Sequence, residues 1–432
     1  MTVEVEHPQR RPLLDELHAR AAPRFSAPAR VVHLALKAPG DAAARDRAED
    51  RRMLSELAGE PVPDRRSFEF ERRGYTVDWE NHTEYAGYTA LLRNNRSAPF
   101  SADPSALFPT EWETSSPARR IAAVVIEVLP MPADDTELVR QVEQWLDPRR
   151  TVIMRVLDGT AVIAGDFRPD EYGYTRFVVF VSPDTGPGRT GYTVQRLLDL
   201  ETYRALAMIG FLDSRDLTTK LNHLNPKLRD LVHHVDSEER NTEEVLHELL
   251  TLTEQLEALA MQNDFRLGAT RAYAAIVEGR LDALGDERFR GRQTLRDFLA
   301  RRYEPSIRTA FAGEARLDRM LSRASRAGDL LRTRVDVSRT AQNQNLLRSL
   351  DERSETQLQL QTTVEGLSVI AISYYAIALL SYLLAPFAED YGFNKAWVLA
   401  CCVPVVVALT WLGMRAVRSR IHRRMSHPPH DH

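Results

Sequence analysis

The chain has 432 residues, 43% of them apolar and 27% charged, enough for a sizeable core in one or two domains. Its formal net charge of −4 leaves no basic field, which argues against nucleic acid as a partner. The only two cysteines, Cys401 and Cys402, are adjacent in an apolar run. They read as small packing residues, because such a pair makes neither a disulfide framework nor a zinc site.

Residues 1–29 form a polar N-terminal segment, and Met1 to Pro23 lacks the apolar core of a secretory signal. Short runs with branched or aromatic residues and Gly or Pro boundaries then predict strands: Val31 to Leu36, Ser67 to Glu71, Tyr75 to Trp79, Tyr85 to Leu92, Ile121 to Leu129, Val152 to Leu157, Ala161 to Phe167 and Arg176 to Ser182. Asp41 to Ala58 and Asp134 to Trp145 read as helices between them. Interleaved strands and helices predict an α/β domain over residues 30–185.

Ser182 to Tyr192 is rich in Gly and Pro. Gly186 and Gly191 have the spacing of a phosphate loop, but Tyr192 stands where the lysine belongs, so the segment reads as a hinge. A helical stalk follows over residues 190–366, with helices at Gly191 to Phe211, Thr242 to Ala260, Phe265 to Leu284 and Arg290 to Arg302. In the second of these, Val245, Leu249, Leu252, Leu256 and Leu259 alternate steps of four and three. No proline occurs between Pro305 and Pro386, so a final helix starting near Ala315 would run on the order of 100 Å. Such a rod needs partners. Its seam is apolar at Leu317, Leu321, Ala324, Leu331 and Val335, then polar at Ser338, Gln342, Asn345 and Ser349. That polar stripe can line a hydrated space between helices or form a solvated face.

Two uncharged apolar runs, Leu367 to Phe387 and Ala396 to Met414, are joined by Ala388 to Lys395. The first spans roughly 30 Å as a helix and the second slightly less, so residues 367–414 predict a transmembrane hairpin. The alternative, a buried hairpin of a soluble protein, would leave a charged face toward water, and neither run has one. Arg415, Arg418, Arg420, Arg423 and Arg424 open a basic tail, residues 415–432, which places both termini on the cytoplasmic side.

Several segments resemble the bacterial membrane-anchored proteins called domain of unknown function 3422. They are Glu16 to Arg20, Trp79 to Tyr85, Gln195 to Leu198 with Glu201 to Arg204, Leu330 to Asp336, and Gln361 to Val369 followed by Ser373 to Tyr375. The resemblance implies a cytosolic region anchored in the inner membrane and brings no activity with it. A second likeness is architectural. CorA-type magnesium channels join a cytosolic α/β domain to one very long helix, a short outer loop and a second span, with Tyr-Gly-Met-Asn in that loop. Tyr391, Gly392, Phe393 and Asn394 stand in the corresponding place. That likeness implies a homo-oligomeric ring such as a pentamer, with Mg2+ or another divalent cation held through its water shell by Gly392 and Asn394 and concentrated by Glu389 and Asp390.

The fold class that follows is α+β: a cytosolic α/β domain, a long-helix stalk and a two-helix C-terminal transmembrane hairpin of CorA-like architecture. Enzymatic chemistry rests on His18 and on Glu80, His82 and Glu84, which share one face if they lie on a strand, and on no nucleophile, phosphate loop or complete ligand set. The bland reading of that face is a satisfied polar contact, and the histidines of the tail, His427, His430 and His432, read as a disordered end. Two functions stand side by side: an oligomer conducting a divalent cation, and a membrane-anchored scaffold or regulator that binds a cytosolic protein. Neither reading makes the chain an enzyme or requires a bound cofactor.

Overall fold

The computed structural model describes residues 22–40, 47–235, 240–390 and 395–425 and a few residues nearer the N-terminus. Among the described residues nine strands form one mixed sheet: β1 (Ala29–Lys37), β2 (Ser67–Arg72), β3 (Tyr75–Asn81), β4 (Tyr85–Arg93), β5 (Arg119–Pro130), β6 (Val152–Val156), β7 (Ala161–Pro169), β8 (Thr175–Val181) and β9 (Glu287–Arg288). Their order is β2-β3-β4-β1-β5-β8-β7-β6-β9. The β5 and β8 pair is parallel and the other pairs are antiparallel. β1 is central because eight of its nine residues are buried, which only a strand covered on both faces permits. The β2–β3 hairpin closes through Arg73 and Gly74, both at positive φ (46° and 84°), the two-residue turn whose twist matches the strands.

The helices are α1 (Arg47–Ala58), α2 (Thr110–Thr114), α3 (Asp135–Trp145), α4 (Pro187–His234), α5 (Thr242–Leu284), α6 (Leu295–Arg302), α7 (Glu304–Asp390) and α8 (Lys395–Met425). One face of the sheet packs on α1 and α2 through Leu34, Met53, Leu54, Trp79 and Trp112, and farther along on α3 through Leu138 and Val142. The other face meets α4 and α5 through Val31, Ile126, Leu197, Val277 and Leu281. Beyond the sheet, α4, α5 and the first part of α7 bury one shared stripe: Leu221 and Leu228, Leu249 and Leu256, Leu317 and Ala324. All of this belongs to one unit, Met1–Leu331; a second comprises Arg332–His432.

Several sequence expectations change here. The helices predicted at Thr242 to Ala260 and Phe265 to Leu284 are one, since no Gly or Pro interrupts the polar stretch between them. α4 runs on through Pro226 to His234. The apolar seam of the final helix, expected to need other copies, is buried at Leu317, Ala324 and Leu331 within its own chain. A two-span hairpin is likewise not what length and composition give among the described residues. One helical stretch, Leu295–Leu383, is long and apolar enough to cross a membrane, while the apolar part of α8, Ala400–Ala416, is shorter.

Candidate functional site

Polar groups converge where the β3–β4 turn meets α4 and α5. Asn81 ends β3, so His82, Thr83 and Glu84 form the turn, and Glu80, His82 and Glu84 do not share one strand face as expected. Glu80 and His82 pair with each other, carboxylate to imidazole Nε2 at 2.9 Å. The His82 ring lies flat on Tyr85, with centroids 4.2 Å apart and 8° between the planes. Tyr203 of α4 meets both edge-on, at 6.5 Å from His82 and 6.1 Å from Tyr85.

Glu84 turns the other way. Its carboxylate accepts the Tyr273 hydroxyl at 2.8 Å and pairs with Arg266 Nη2 at 2.8 Å, both from α5. Lys37 Nζ lies 3.8 Å off. Burial, then the bond to Glu84, raises the Tyr273 hydroxyl above its ordinary range, so it stays a neutral donor. Burial, with Tyr203 next to it, does the same to Tyr85.

The sheet face beneath carries a titrating row. His33 on β1 stands opposite Thr89 on β4, which stands opposite Asp78 on β3. His33 Nδ1 is 2.9 Å from the Thr89 hydroxyl, and its Nε2 is 3.3 Å from the Thr202 hydroxyl of α4. Burial drives the His33 imidazole down to about 4, against the opposing pull of Glu80. Burial, with Glu80 and Glu69 beside it, pushes the Asp78 carboxyl up to about 7.

A cavity of about 220 Å3 opens beside the turn, lined by Arg47, Arg66, His82, Tyr85, Tyr203 and Tyr273 among others. A larger one, about 580 Å3, lies by Tyr174, but there Arg120 is paired with Glu113 and its charges balance. Among the described residues no group of three or more His, Cys, Asp or Glu is placed to hold a metal.

The other sequence-predicted site residues are not gathered into this junction. Tyr391, Gly392, Phe393 and Asn394 lie outside the described residues, as do His18 and the histidines of the tail. Glu389 and Asp390 are the last residues of α7. Ser338, Gln342 and Asn345 are exposed along α7, and half-buried Ser349 donates its hydroxyl to the Leu346 carbonyl at 2.8 Å. The expected likeness to CorA-type channels therefore gains no support, since its pore tetrapeptide is not described and its rod seam is spent inside one chain.

Sequence reasoning missed Tyr203, Tyr273 and Arg266, which come from helices far along the chain. One signal pointed that way: Trp79 to Tyr85 and Glu201 to Arg204, two segments that carry the family resemblance, meet at this junction.

The sequence profile described as "Protein of unknown function (DUF3422)" matches residues 5–421, nearly the full length. None of the curated proteins matches the chain. Residue for residue, the profile takes in the sheet, the junction and the apolar helix together, and the chain belongs to the DUF3422 family.

Proposed function

We propose that this chain is a membrane-anchored regulator or scaffold, with the unit Met1–Leu331 in the cytoplasm and the apolar end of α7 in the bacterial inner membrane. A single observation carries the reading. The apolar window of the membrane-length helix is only 6% buried. A core helix of a soluble protein hides such a surface, and lipid is the solvent that leaves it at no cost.

In this reading α8 returns alongside α7 as a second span, beginning at Ala396 rather than at Ala400. Support comes from the hydroxyls of Ser373 and Thr410, which bond across the two helices at 2.7 Å, the kind of polar contact that holds helices together in lipid. The arginines after Met414 keep the tail cytoplasmic. The same reading makes the protein a homo-oligomer. Support comes from two exposed apolar patches that a second copy would cover, Leu346 with Leu350 and Leu360 with Val364, separated by Arg353 and Gln357 at the same heptad positions. It assigns no catalysis to the cytoplasmic unit.

Extraction of membranes with alkaline carbonate tests the anchor: the chain stays in the pellet if the reading holds and leaves with the wash if it fails. Mass measurement in lipid nanodiscs gives the subunit number. Magnesium flux into proteoliposomes that is abolished by Gly392→Ala with Asn394→Ala would replace this reading with conduction of a divalent cation.

A further inference from the structure

The larger cavity, about 580 Å3, is explained by neither the membrane anchor nor the family. Short pieces of chain far apart in sequence wall it: the start of β5 with Arg120, the β7–β8 turn with Tyr172 and Tyr174, the helical turn Pro104–Ala106 with Ser105, and α2 with Glu113. Tyr174 is fully buried, and its hydroxyl has no hydrogen-bond partner among the described residues. The charges that act on this hydroxyl are those of Arg120, Glu113, Asp103 and Asp170, and the first three line the cavity, so the hydroxyl faces it. Burial raises the hydroxyl above its ordinary range, which keeps it a neutral donor. A buried donor left unbonded is costly, and folded proteins satisfy nearly all of them.

The wall around Tyr174 is fixed in place. One carboxylate oxygen of Asp170 accepts the amides of Tyr172 and Tyr174, at 3.0 and 2.9 Å, and the Asp170 amide donates to the Tyr174 carbonyl at 2.9 Å. Arg120 ties the same turn down by donating to the Tyr172 carbonyl at 2.9 Å, and its guanidinium lies over the Tyr174 ring, 4.9 Å from the centroid. Glu113 neutralises that guanidinium through two hydrogen bonds, so the surface beside the Tyr174 hydroxyl is polar without being a bare charge. Asp103 accepts from the Ser105 amide and hydroxyl, at 2.8 and 2.6 Å, and each of its oxygens keeps room for a further donor. Thr110 and Thr114 add hydroxyls, and exposed Tyr172 and Arg119 stand at the rim. The volume falls within the roughly 300–1,000 Å3 of small-molecule pockets and is far more than one water needs.

We propose that this cavity binds an uncharged sugar or polyol, one hydroxyl of which bonds to Tyr174 at the floor while others reach Asp103, Glu113 and the two threonines. The wall mixes carboxylate oxygens, which only accept, with hydroxyls, which donate and accept. A ligand hydroxyl answers either kind, because it also does both. A charged ligand group would instead compete with the Glu113 and Arg120 pair for partners already committed to each other. The Tyr172 ring offers an apolar face to the C–H side of a sugar ring. All of these residues belong to the unit Met1–Leu331, so the site stands whether or not the chain is anchored in lipid.

The test is calorimetric titration of the full-length protein in nanodiscs, free of glycoside detergents, with glucose, ribose and myo-inositol as probes and with gluconate and glucosamine as charged comparators. At least one neutral probe binds with a Kd of about 1 mM or tighter, and both comparators bind at least about tenfold more weakly. Tyr174→Phe, which removes the hydroxyl and keeps the ring, weakens that binding by about tenfold or more at unchanged circular dichroism. Thr110→Ala with Thr114→Ala, both exposed on α2, weakens it severalfold and supplies the same readout should Tyr174→Phe fail to fold. No binding of any neutral probe would overturn the proposal and leave water as the partner of Tyr174. Undiminished binding by either variant would remove the assigned hydroxyl contacts and the proposal with them. A comparator that binds as tightly as the neutral probes would overturn it in favour of a charged ligand.

Discussion

Arg266 on α5 holds Glu84, the last residue of the β3–β4 turn, at 2.8 Å, and both side chains are buried, with 6% and 2% of their surface exposed. The ion pair joins two stretches of chain far apart in sequence and fixes the sheet to the helical layer. Removing one partner leaves the other charged and out of water. Glu84→Ala or Arg266→Ala is therefore expected to cost about 3–5 kcal/mol in urea unfolding followed by tryptophan fluorescence. The double variant should cost clearly less than the sum, because the orphaned charge is gone. Additive losses would mean that the pair contributes nothing as a pair.

At Gly210 α4 passes close against α5: a Cβ there would overlap the Thr270 hydroxyl. Gly210→Val should force the helices apart and destabilise by about 1–3 kcal/mol, as other overpacked sites do. Thr270→Ala in the same chain, which removes the hydroxyl but leaves its Cβ, should recover part of the loss. A Gly210→Val variant as stable as the parent would show that this crossing has slack.

The pH dependence of stability should carry two opposed contributions from one sheet face. Asp78 binds its proton more tightly in the fold, so its contribution is full below pH 3.8 and is lost as pH rises through about 7. His33 binds its proton less tightly in the fold, so its contribution is full above pH 6.5 and is lost as pH falls through about 4. Between those limits the two slopes cancel. Asp78→Asn should unmask the buried His33, giving a stability that climbs with pH between about 4 and 6.5 by on the order of 1–3 kcal/mol. A flat profile in that variant would exclude the His33 contribution.

The membrane reading predicts asymmetry between two otherwise similar substitutions. Ile370 and Leu379 are exposed in the apolar end of α7, and Leu330 is exposed earlier on the same helix. An arginine at the centre of a span costs about 2.5–3.5 kcal/mol on insertion scales. Ile370→Arg with Leu379→Arg should shift the protein out of the carbonate-resistant pellet, and Leu330→Arg should not. Equal retention of all three would argue that this surface meets protein rather than lipid.

The local signals were legible. All eight strands expected from alternation and branched side chains are present, and Asp134, which accepts from the Thr136 and Glu137 amides, starts α3 where expected. Strand order was not legible, because alternation says which face a residue takes and nothing about which strand lies beside it. At the junction, the common face expected of Glu80, His82 and Glu84 was lost when the strand ended at Asn81. Their partners, Tyr203, Arg266 and Tyr273, are brought there only by tertiary packing. β9 was missed because two exposed residues show no period, and the final helix starts at Glu304, ahead of the expected Ala315, because Pro305 is well suited to a first turn.

That short strand has a consequence for how the protein is made. Glu287 and Arg288 pair with Arg155 and Met154 on β6, so the segment that caps this end of the sheet is encoded some 130 residues after the strand it caps. On the ribosome, β6 emerges early and waits with its backbone donors and acceptors open while α4 and α5 are still being synthesised. The interval is one in which nascent chains can pair edge to edge, and it closes only when the α5–α6 connection leaves the exit tunnel.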